Sequence, residues 1–245
     1  MCEICGRPSL RHVAPARRRF LLAVSAAGLS LASGVRARET KAPPKPGNVL
    51  SPDAALKRLK DGNERYAEGV ARRHDFKHER EALVGGQNPF AAILGCADSR
   101  IAPEYAFDSG RGDLFVCRVA GNFANEDSIA SLEYAVAVLA VPLILVLGHD
   151  RCGAVDATIK SIKDDKPLPG HMPSLVAGLS ASVKAVLQQG GSGDVLAAAI
   201  RQNVIDTVAK LRSATPILSA AVEGNKLKVV GGIYRLKDGE VDMVA

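Results

Sequence analysis

Two short apolar runs, each closed by a glycine and followed directly by polar residues, constrain the fold of this chain most. The first is residues 91–94 before Gly95, and the second is residues 143–147 before Gly148. Apolar runs of this length bounded by glycine are typical of buried parallel strands. Open α/β sheets place their sites at the carboxyl ends of such strands. We therefore expect the two polar clusters to meet at one end of a sheet.

These clusters carry side chains suited to a metal ion. Cys96, His149 and Cys152 supply two thiols and one imidazole. Asp98 adds a carboxylate two residues after Cys96. Two sulfur ligands and one imidazole nitrogen in a tetrahedral arrangement suit zinc best. The spacing therefore predicts a zinc site.

Two kinds of zinc site remain open on these residues. A closed structural site would use all four side chains, whereas a catalytic site would use three and leave the fourth position to water. Arg100, two residues beyond Asp98, can bind that carboxylate bidentately and hold it away from the metal. The position of the ligands at strand ends, in a domain too large to depend on a metal for folding, favours the catalytic site.

The rest of the chain alternates strands and helices and then ends in strands, which predicts an α/β fold with a mostly parallel central sheet flanked by helices. Ser51 and Pro52 open a helix that forms an N-terminal arm. Further elements are expected at residues 113–119 (strand), 127–141 (helix, stopped by Pro142), 173–189 and 194–214 (helices), and 227–234 and 239–244 (strands). The last strand is expected to run antiparallel at an edge.

Charge is concentrated at the N-terminus. Residues 1–37 carry six Arg and one Glu, and so hold +5 of the formal charge of +6. The other 208 residues carry 26 basic and 25 acidic side chains, a balance that indicates no surface for nucleic acid.

This basic segment has the pattern of an export signal. Arg17 to Arg19 precede an uncharged stretch, residues 20–32, and a small-x-Ala sequence ends at Ala37. The stretch is shorter than the about 20 residues that a membrane span needs. The paired arginines favour a twin-arginine signal, a type that exports folded proteins to the periplasm; a plain secretory signal and an uncleaved tail are the alternatives. The predicted organisation is a signal peptide at 1–37, a linker at 38–50 and one catalytic domain at 51–245.

Four motifs occur in the order found in the β-class carbonic anhydrases, and together they resemble that family from about Ser51 to the C-terminus. The motifs are Cys96-Ala-Asp-Ser-Arg100, Arg118-Val-Ala-Gly-Asn122, Glu133-Tyr-Ala-Val136 and Gly148-His-Asp-Arg-Cys-Gly153. The resemblance implies reversible, zinc-dependent hydration of CO2 to bicarbonate and a proton. It assigns one zinc ion per chain to Cys96, His149 and Cys152, and makes Asp98 and Arg100 a dyad that gates the fourth metal position.

The same resemblance implies a substrate pocket, a sheet and an oligomer. Gln87, Phe115 and Tyr134 match pocket residues of the family, whose aromatics often face the zinc of a neighbouring subunit, and Gly153 brings a helix N-terminus to the site. The implied sheet has four parallel strands plus an edge strand. An N-terminal helix clasps a partner to give a homodimer or homotetramer. Without the family resemblance, a loop glutamine, a core phenylalanine and a helix-packing tyrosine would be the better interpretation of these three residues.

Two other functions fit the same residues. The scaffold could hydrolyse carbonyl sulfide or carbon disulfide, a choice that depends on pocket width. It could also be a zinc-binding protein without catalysis, although the presence of both Asp98 and Arg100 argues against that.

Overall fold

The computed structural model describes residues 44–190 and 193–245, so the predicted signal peptide lies outside the described residues. Its sheet has five strands: β1 (Ala91–Gly95), β2 (Leu114–Arg118), β3 (Leu143–His149), β4 (Lys228–Tyr234) and β5 (Val241–Met243). They lie in the order β2-β1-β3-β4-β5. Strands β1 to β4 are parallel, and β5 pairs antiparallel with β4 at one edge. The predicted α/β fold, with four parallel strands and an added edge strand, is confirmed.

Helices cover both faces of this sheet. The described helices are α1 (Pro52–Ala67), α2 (Phe76–Ala82), α3 (Pro103–Ala106), α4 (Glu126–Ala137), α5 (Gly153–Lys163), α6 (Pro173–Gln189), α7 (Val195–Arg212) and α8 (Ile217–Glu223). Along β1 the side chains alternate between the two faces. Ala92 and Leu94 join the core under α4 to α8, whereas Ala91 and Ile93 join the core under α1 and α3. None of the helices within the described ranges is long and apolar enough to cross a membrane.

Local chemistry explains most boundaries. Ser51 caps α1 by accepting a hydrogen bond from the Ala54 amide (3.3 Å), as expected for a serine before a first-turn proline. Helix α4 was predicted to reach residue 141 but ends at Ala137. Pro142 disfavours helical backbone just before it, and Ala140 takes a left-handed φ of 54° as the chain turns into β3. Helices α3 and α8 were not predicted, because four and seven residues are too few to show a period.

Close packing of α7 against the sheet fixes the end of β3. A Cβ atom on Gly148 would lie 2.6 Å from one methyl carbon of Val204, and one on Gly231 would lie 2.5 Å from the other. Real Cβ atoms do not approach that closely, so glycine at both positions lets Val204 rest directly on β3 and β4. Strand β3 therefore continues through Gly148 to His149, two residues beyond the apolar run.

Candidate metal centre

The two polar clusters meet at the carboxyl ends of neighbouring parallel strands, as predicted. Cys96 is the first residue after β1, and His149 is the last residue of β3. Cys152 is the N-cap of α5. The donor atoms of these three side chains all lie within 4.8 Å of one another. They are the one group of three or more candidate ligands found in the part of the chain that the structure describes.

The donor set fits a zinc ion. Zn–S bonds of about 2.3 Å in a tetrahedron put the two sulfur atoms about 3.8 Å apart, and the Sγ atoms of Cys96 and Cys152 are 4.0 Å apart. His149 is fully buried. Its Nδ1 lies 2.9 Å from the Asp150 carbonyl oxygen, an arrangement that leaves the lone pair on Nε2. That Nε2 atom is buried without a hydrogen-bond partner, which is the state expected of a metal ligand.

The two thiols influence each other's protonation. The hydrogen bond from Cys152 lowers the pKa of Cys96, and the amide of Gly121, 3.3 Å from Sγ, adds to this effect. The same contact raises the pKa of Cys152, because two adjacent buried thiols do not both ionise without a cation between them. A divalent metal would favour both thiolates, so binding would release protons.

Asp98 and Arg100 form a bidentate pair beside this centre. Arg100 Nε donates to Asp98 Oδ1 at 2.9 Å, and Nη2 donates to Oδ2 at 2.7 Å. These hydrogen bonds hold the pKa of Asp98 well below its usual range, so the carboxylate is ionised. Its Oδ2 lies 3.8 Å from Nε2 of His149. Of the two arrangements open to Asp98, the structure has the one in which it binds Arg100.

The predicted pocket residues divide into two groups. Gly153 begins α5 next to Cys152 and so lies at the centre. Gln87 is exposed and precedes β1, a strand whose five residues span about 13 Å and separate it from Cys96. Phe115 and Tyr134 pair with their rings 6.4 Å apart on the outer strand β2 and on α4. Tyr134 is 48% exposed.

A cavity of about 1160 Å³ lies elsewhere, between α2 and the loop before β2. None of the predicted site residues lines it. The ligands and the dyad are therefore not part of this cavity.

Sequence reasoning missed several residues that support the centre. Asn203 on α7 is buried, and its side-chain amide donates to the Gly121 carbonyl oxygen at 2.8 Å. The carboxylate of Asp150 accepts from the Leu236 amide at 3.0 Å. Arg118 was noted within a motif but given no role. No spacing signal marks these contacts, because each joins segments far apart in the chain.

Comparisons with known proteins agree with this geometry. The family profile described as carbonic anhydrase matches residues 91–241. Carbonic anhydrase 2 of Mycobacterium tuberculosis is 42% identical over 190 residues, which cover 77% of this chain and 91% of that protein. Carbonic anhydrase of Mycolicibacterium smegmatis is 40% identical over 195 residues, 79% of this chain and 93% of that protein.

A solved structure extends the likeness from sequence to fold. The Coccomyxa β-carbonic anhydrase, determined in complex with acetazolamide, superposes with a TM-score of 0.60 at 26% identity. The match covers 77% of this chain and 86% of that one.

Proposed function

This chain belongs to the β-class carbonic anhydrase family, and on that premise we propose that Cys96, His149 and Cys152 hold one zinc ion at which CO2 is reversibly hydrated to bicarbonate and a proton. One observation carries the assignment of ligands. The Nε2 atom of His149 is buried without a partner, and it belongs to a group of three donors whose two sulfur atoms are 4.0 Å apart. These three ligands leave the fourth position of a tetrahedral zinc site open, unlike a closed structural site.

A zinc ion bound by this set supplies a nucleophile, because it makes water acidic enough to lose a proton near neutral pH. The chain's own contribution begins with the ligands. The Asp150 carbonyl fixes the ring of His149 through Nδ1 and thereby directs Nε2 at the site. The N-terminus of α5, which starts at Gly153, lies beside Cys152, where its first amides favour negative charge.

We assign the gate to Asp98 and Arg100. While Arg100 holds both carboxylate oxygens, Asp98 leaves the fourth ligand position free. Its ionised Oδ2, close to His149 Nε2, can accept a hydrogen bond from a hydroxyl group at the centre and so orient it. The side chain of Arg100 is 49% exposed, so its release from Asp98 requires no disruption of the core.

The test measures zinc content and CO2 hydration by stopped flow on the same sample. We expect one zinc per chain and fast hydration in the native protein, and neither in Cys152→Ser. Cys117→Ser is the matched control, since Cys117 lies on β2 outside the ligand group, and it should keep both. Zinc without hydration would contradict the proposed reaction and direct attention to sulfur analogues of CO2 or to a structural site. Absence of zinc would refute the ligand assignment.

We further propose that two copies of the chain complete each pocket. Strand β2 is an edge strand, and its Phe115 pairs with Tyr134 of the neighbouring helix α4. Val138, one helical turn after Tyr134, is 62% exposed. An unpaired edge with exposed apolar side chains favours association. A second copy seated here would bring Gln87, Phe115 and Tyr134 to the neighbouring centre, as the family resemblance implies.

Export to the periplasm is also proposed. It rests on the sequence of residues 1–37, in which three arginines precede an uncharged thirteen-residue stretch. Replacing Arg17 and Arg18 by Lys should retain the protein in the cytoplasm if the signal is of the twin-arginine type. Unchanged export of this variant would instead indicate a plain secretory signal.

A further inference from the structure

We propose that Arg118 is a positioning residue for this centre, because it fixes the backbone of the loop that carries both Cys96 and Asp98. The inference rests on the proposed function and adds a residue to it. Arg118 is the last residue of β2 and pairs in register with Gly95, the last residue of β1. Its side chain therefore begins directly beside the point where the ligand loop leaves the sheet.

Three hydrogen bonds join its guanidinium to that loop. Nε donates to the Cys96 carbonyl oxygen at 2.8 Å. Nη2 donates to the carbonyl oxygens of Asp98 at 2.6 Å and Ile101 at 2.9 Å. One planar group thus holds the peptide of the metal ligand, the peptide of the gating residue and the exit of the loop in a fixed relation.

The loop has few other means of holding this shape. Between residues 96 and 101 the backbone makes one hydrogen bond of its own, from the Ile101 amide to the Asp98 carbonyl, and it is long at 3.3 Å. The remaining support comes from the Arg100 side chain on the Asp98 carboxylate, from the Arg100 amide, which donates to Asp98 Oδ1 at 2.9 Å, and from the Gly121 amide on the sulfur of Cys96. Without Arg118, the carbonyls of Cys96 and Asp98 would turn toward water, and the side chains on the same residues would move with them.

The chemistry of arginine suits this task. A guanidinium presents several N–H groups in one rigid fork, whereas a lysine ammonium is a single point. Nε and Nη2 reach carbonyls at two different places in the loop, and one ammonium cannot occupy both. Within the described ranges no carboxylate lies within ion-pair distance of Arg118. Its positively charged guanidinium therefore binds the peptide oxygens of the loop and not a carboxylate.

The experiment compares Arg118→Met, Arg118→Lys and the control Arg212→Met. Arg212 also donates from Nε and Nη2 to a backbone carbonyl, that of Val229, but it lies away from the metal centre. The readouts are zinc affinity by chelator competition, the absorption spectrum of the cobalt-substituted protein, and the pH dependence of hydration. The zinc affinity and the cobalt spectrum report the geometry of the ligands independently of catalytic activity.

Supporting residues around a metal site commonly contribute 10- to 100-fold to metal affinity or activity. We expect Arg118→Met to lose about that much zinc affinity and to shift the cobalt spectrum, with Arg118→Lys intermediate. Arg212→Met should match the native protein in both. If Arg118→Met fails to fold, Arg118→Lys carries the test. A native zinc affinity and cobalt spectrum in either foldable variant would overturn the proposal. A shifted spectrum in a protein whose native form hydrates no CO2 would instead refute the function and retain the positioning role.

Discussion

The carboxylate of Asp98 has two possible partners, the side chain of Arg100 and the metal position. In the structure it is ionised and bound through both oxygens to Arg100. Its Oδ2 is also 3.8 Å from the nitrogen of His149 that faces the metal position. In the proposed gate, the energetic balance between these two arrangements would determine whether the fourth ligand position is open.

We expect Asp98→Ala to retain zinc and to alter the pH profile of hydration. The pKa of Asp98 lies far below neutrality, so its own titration does not shape the profile between pH 6 and 9. Any change in that range would result from removing a competing ligand and a hydrogen-bond acceptor beside the centre. Activity should fall about 10- to 100-fold, and the ratio of the rate at pH 7 to the rate at pH 9 should rise. Zinc content and stopped-flow rates on the same samples measure both effects. Loss of zinc would identify Asp98 as a structural ligand.

Asn203 supports the centre from beneath. Its amide holds the Gly121 carbonyl, and the Gly121 amide in turn donates to the sulfur of Cys96. Asn203→Ala leaves a buried carbonyl without its partner, so the free energy of unfolding should fall by about 1–3 kcal/mol. Urea denaturation measures this loss. Ser213→Ala removes exposed hydrogen bonds at the end of the same helix. It should change the free energy of unfolding by less than about 0.5 kcal/mol. Equal effects of the two variants would contradict the role given to Asn203.

On the scale of whole elements, Asp113 joins the start of the described chain to the entrance of β2. Its Oδ1 accepts from Lys45 at 2.8 Å and from Asn48 at 3.0 Å, and its Oδ2 accepts from the Gly110 amide at 2.8 Å. Burial alone would raise the pKa of Asp113, but these hydrogen bonds outweigh it and lower the pKa. The segment before α1 is thereby held against the sheet.

Asp113→Asn should destabilise the protein by about 1–3 kcal/mol at pH 7, because hydrogen bonds to a charged group are lost. A carboxylate with a lowered pKa in the folded state stabilises above its unfolded pKa of about 3.9 and loses that contribution as pH falls further. The difference between variant and native protein should therefore shrink below about pH 4. Urea denaturation at pH 7 and pH 3 measures it. Asp61→Asn, which removes an exposed pair with Lys57, is the control and should have little effect. A difference that persisted at pH 3 would contradict the ionic origin.

Elements with strong local signals were predicted well. Strand β1 is a continuous buried apolar run, α1 has a serine cap followed by proline, and α6 was placed at its observed bounds. The elements that were missed or misjudged lacked a clear periodic signal of their own. Helices α3 and α8 are too short to show a period, and the end of α4 is set by the turn into β3.

On the scale of the whole molecule, the ligand set followed from topology, whereas the pocket did not. Cys96 and His149 had to meet once β1 and β3 were neighbouring parallel strands. No such rule places Gln87, Phe115 and Tyr134 relative to the centre. We propose that their side chains reach the centre of a second copy, and a single sequence contains no signal for the relative position of two chains.

Association through β2 and α4 can be tested with Val138→Asp. Val138 is 62% exposed and lies one turn from Tyr134. A carboxylate there should prevent an apolar contact, so sedimentation should report a single chain, and hydration should fall with zinc still bound. Met172→Asp, which charges another exposed apolar position outside this face, should leave the oligomer intact. A Val138→Asp variant that stays oligomeric would place the interface elsewhere.

If the chain is exported as proposed, export and metal binding are linked through the two buried thiols. Their sulfur atoms are 4.0 Å apart, so a small movement would bring them to the about 2.05 Å of a disulfide. Oxidised glutathione would take up the two electrons, and the metal site would be lost. A zinc ion held between the thiols prevents this reaction. A chain exported folded and already loaded would therefore keep both thiols reduced in an oxidising compartment.

Protein recovered from the periplasm should accordingly contain zinc and three free thiols per mature chain once it is denatured in chelator, these being Cys96, Cys117 and Cys152. The same protein, stripped of zinc while folded and then exposed to oxidised glutathione, should retain only the thiol of Cys117. Cys152→Ser, treated identically, cannot form the Cys96–Cys152 bond. A Cys96–Cys152 disulfide in freshly recovered native protein would show that export precedes metal binding, and would contradict a folded, loaded passage.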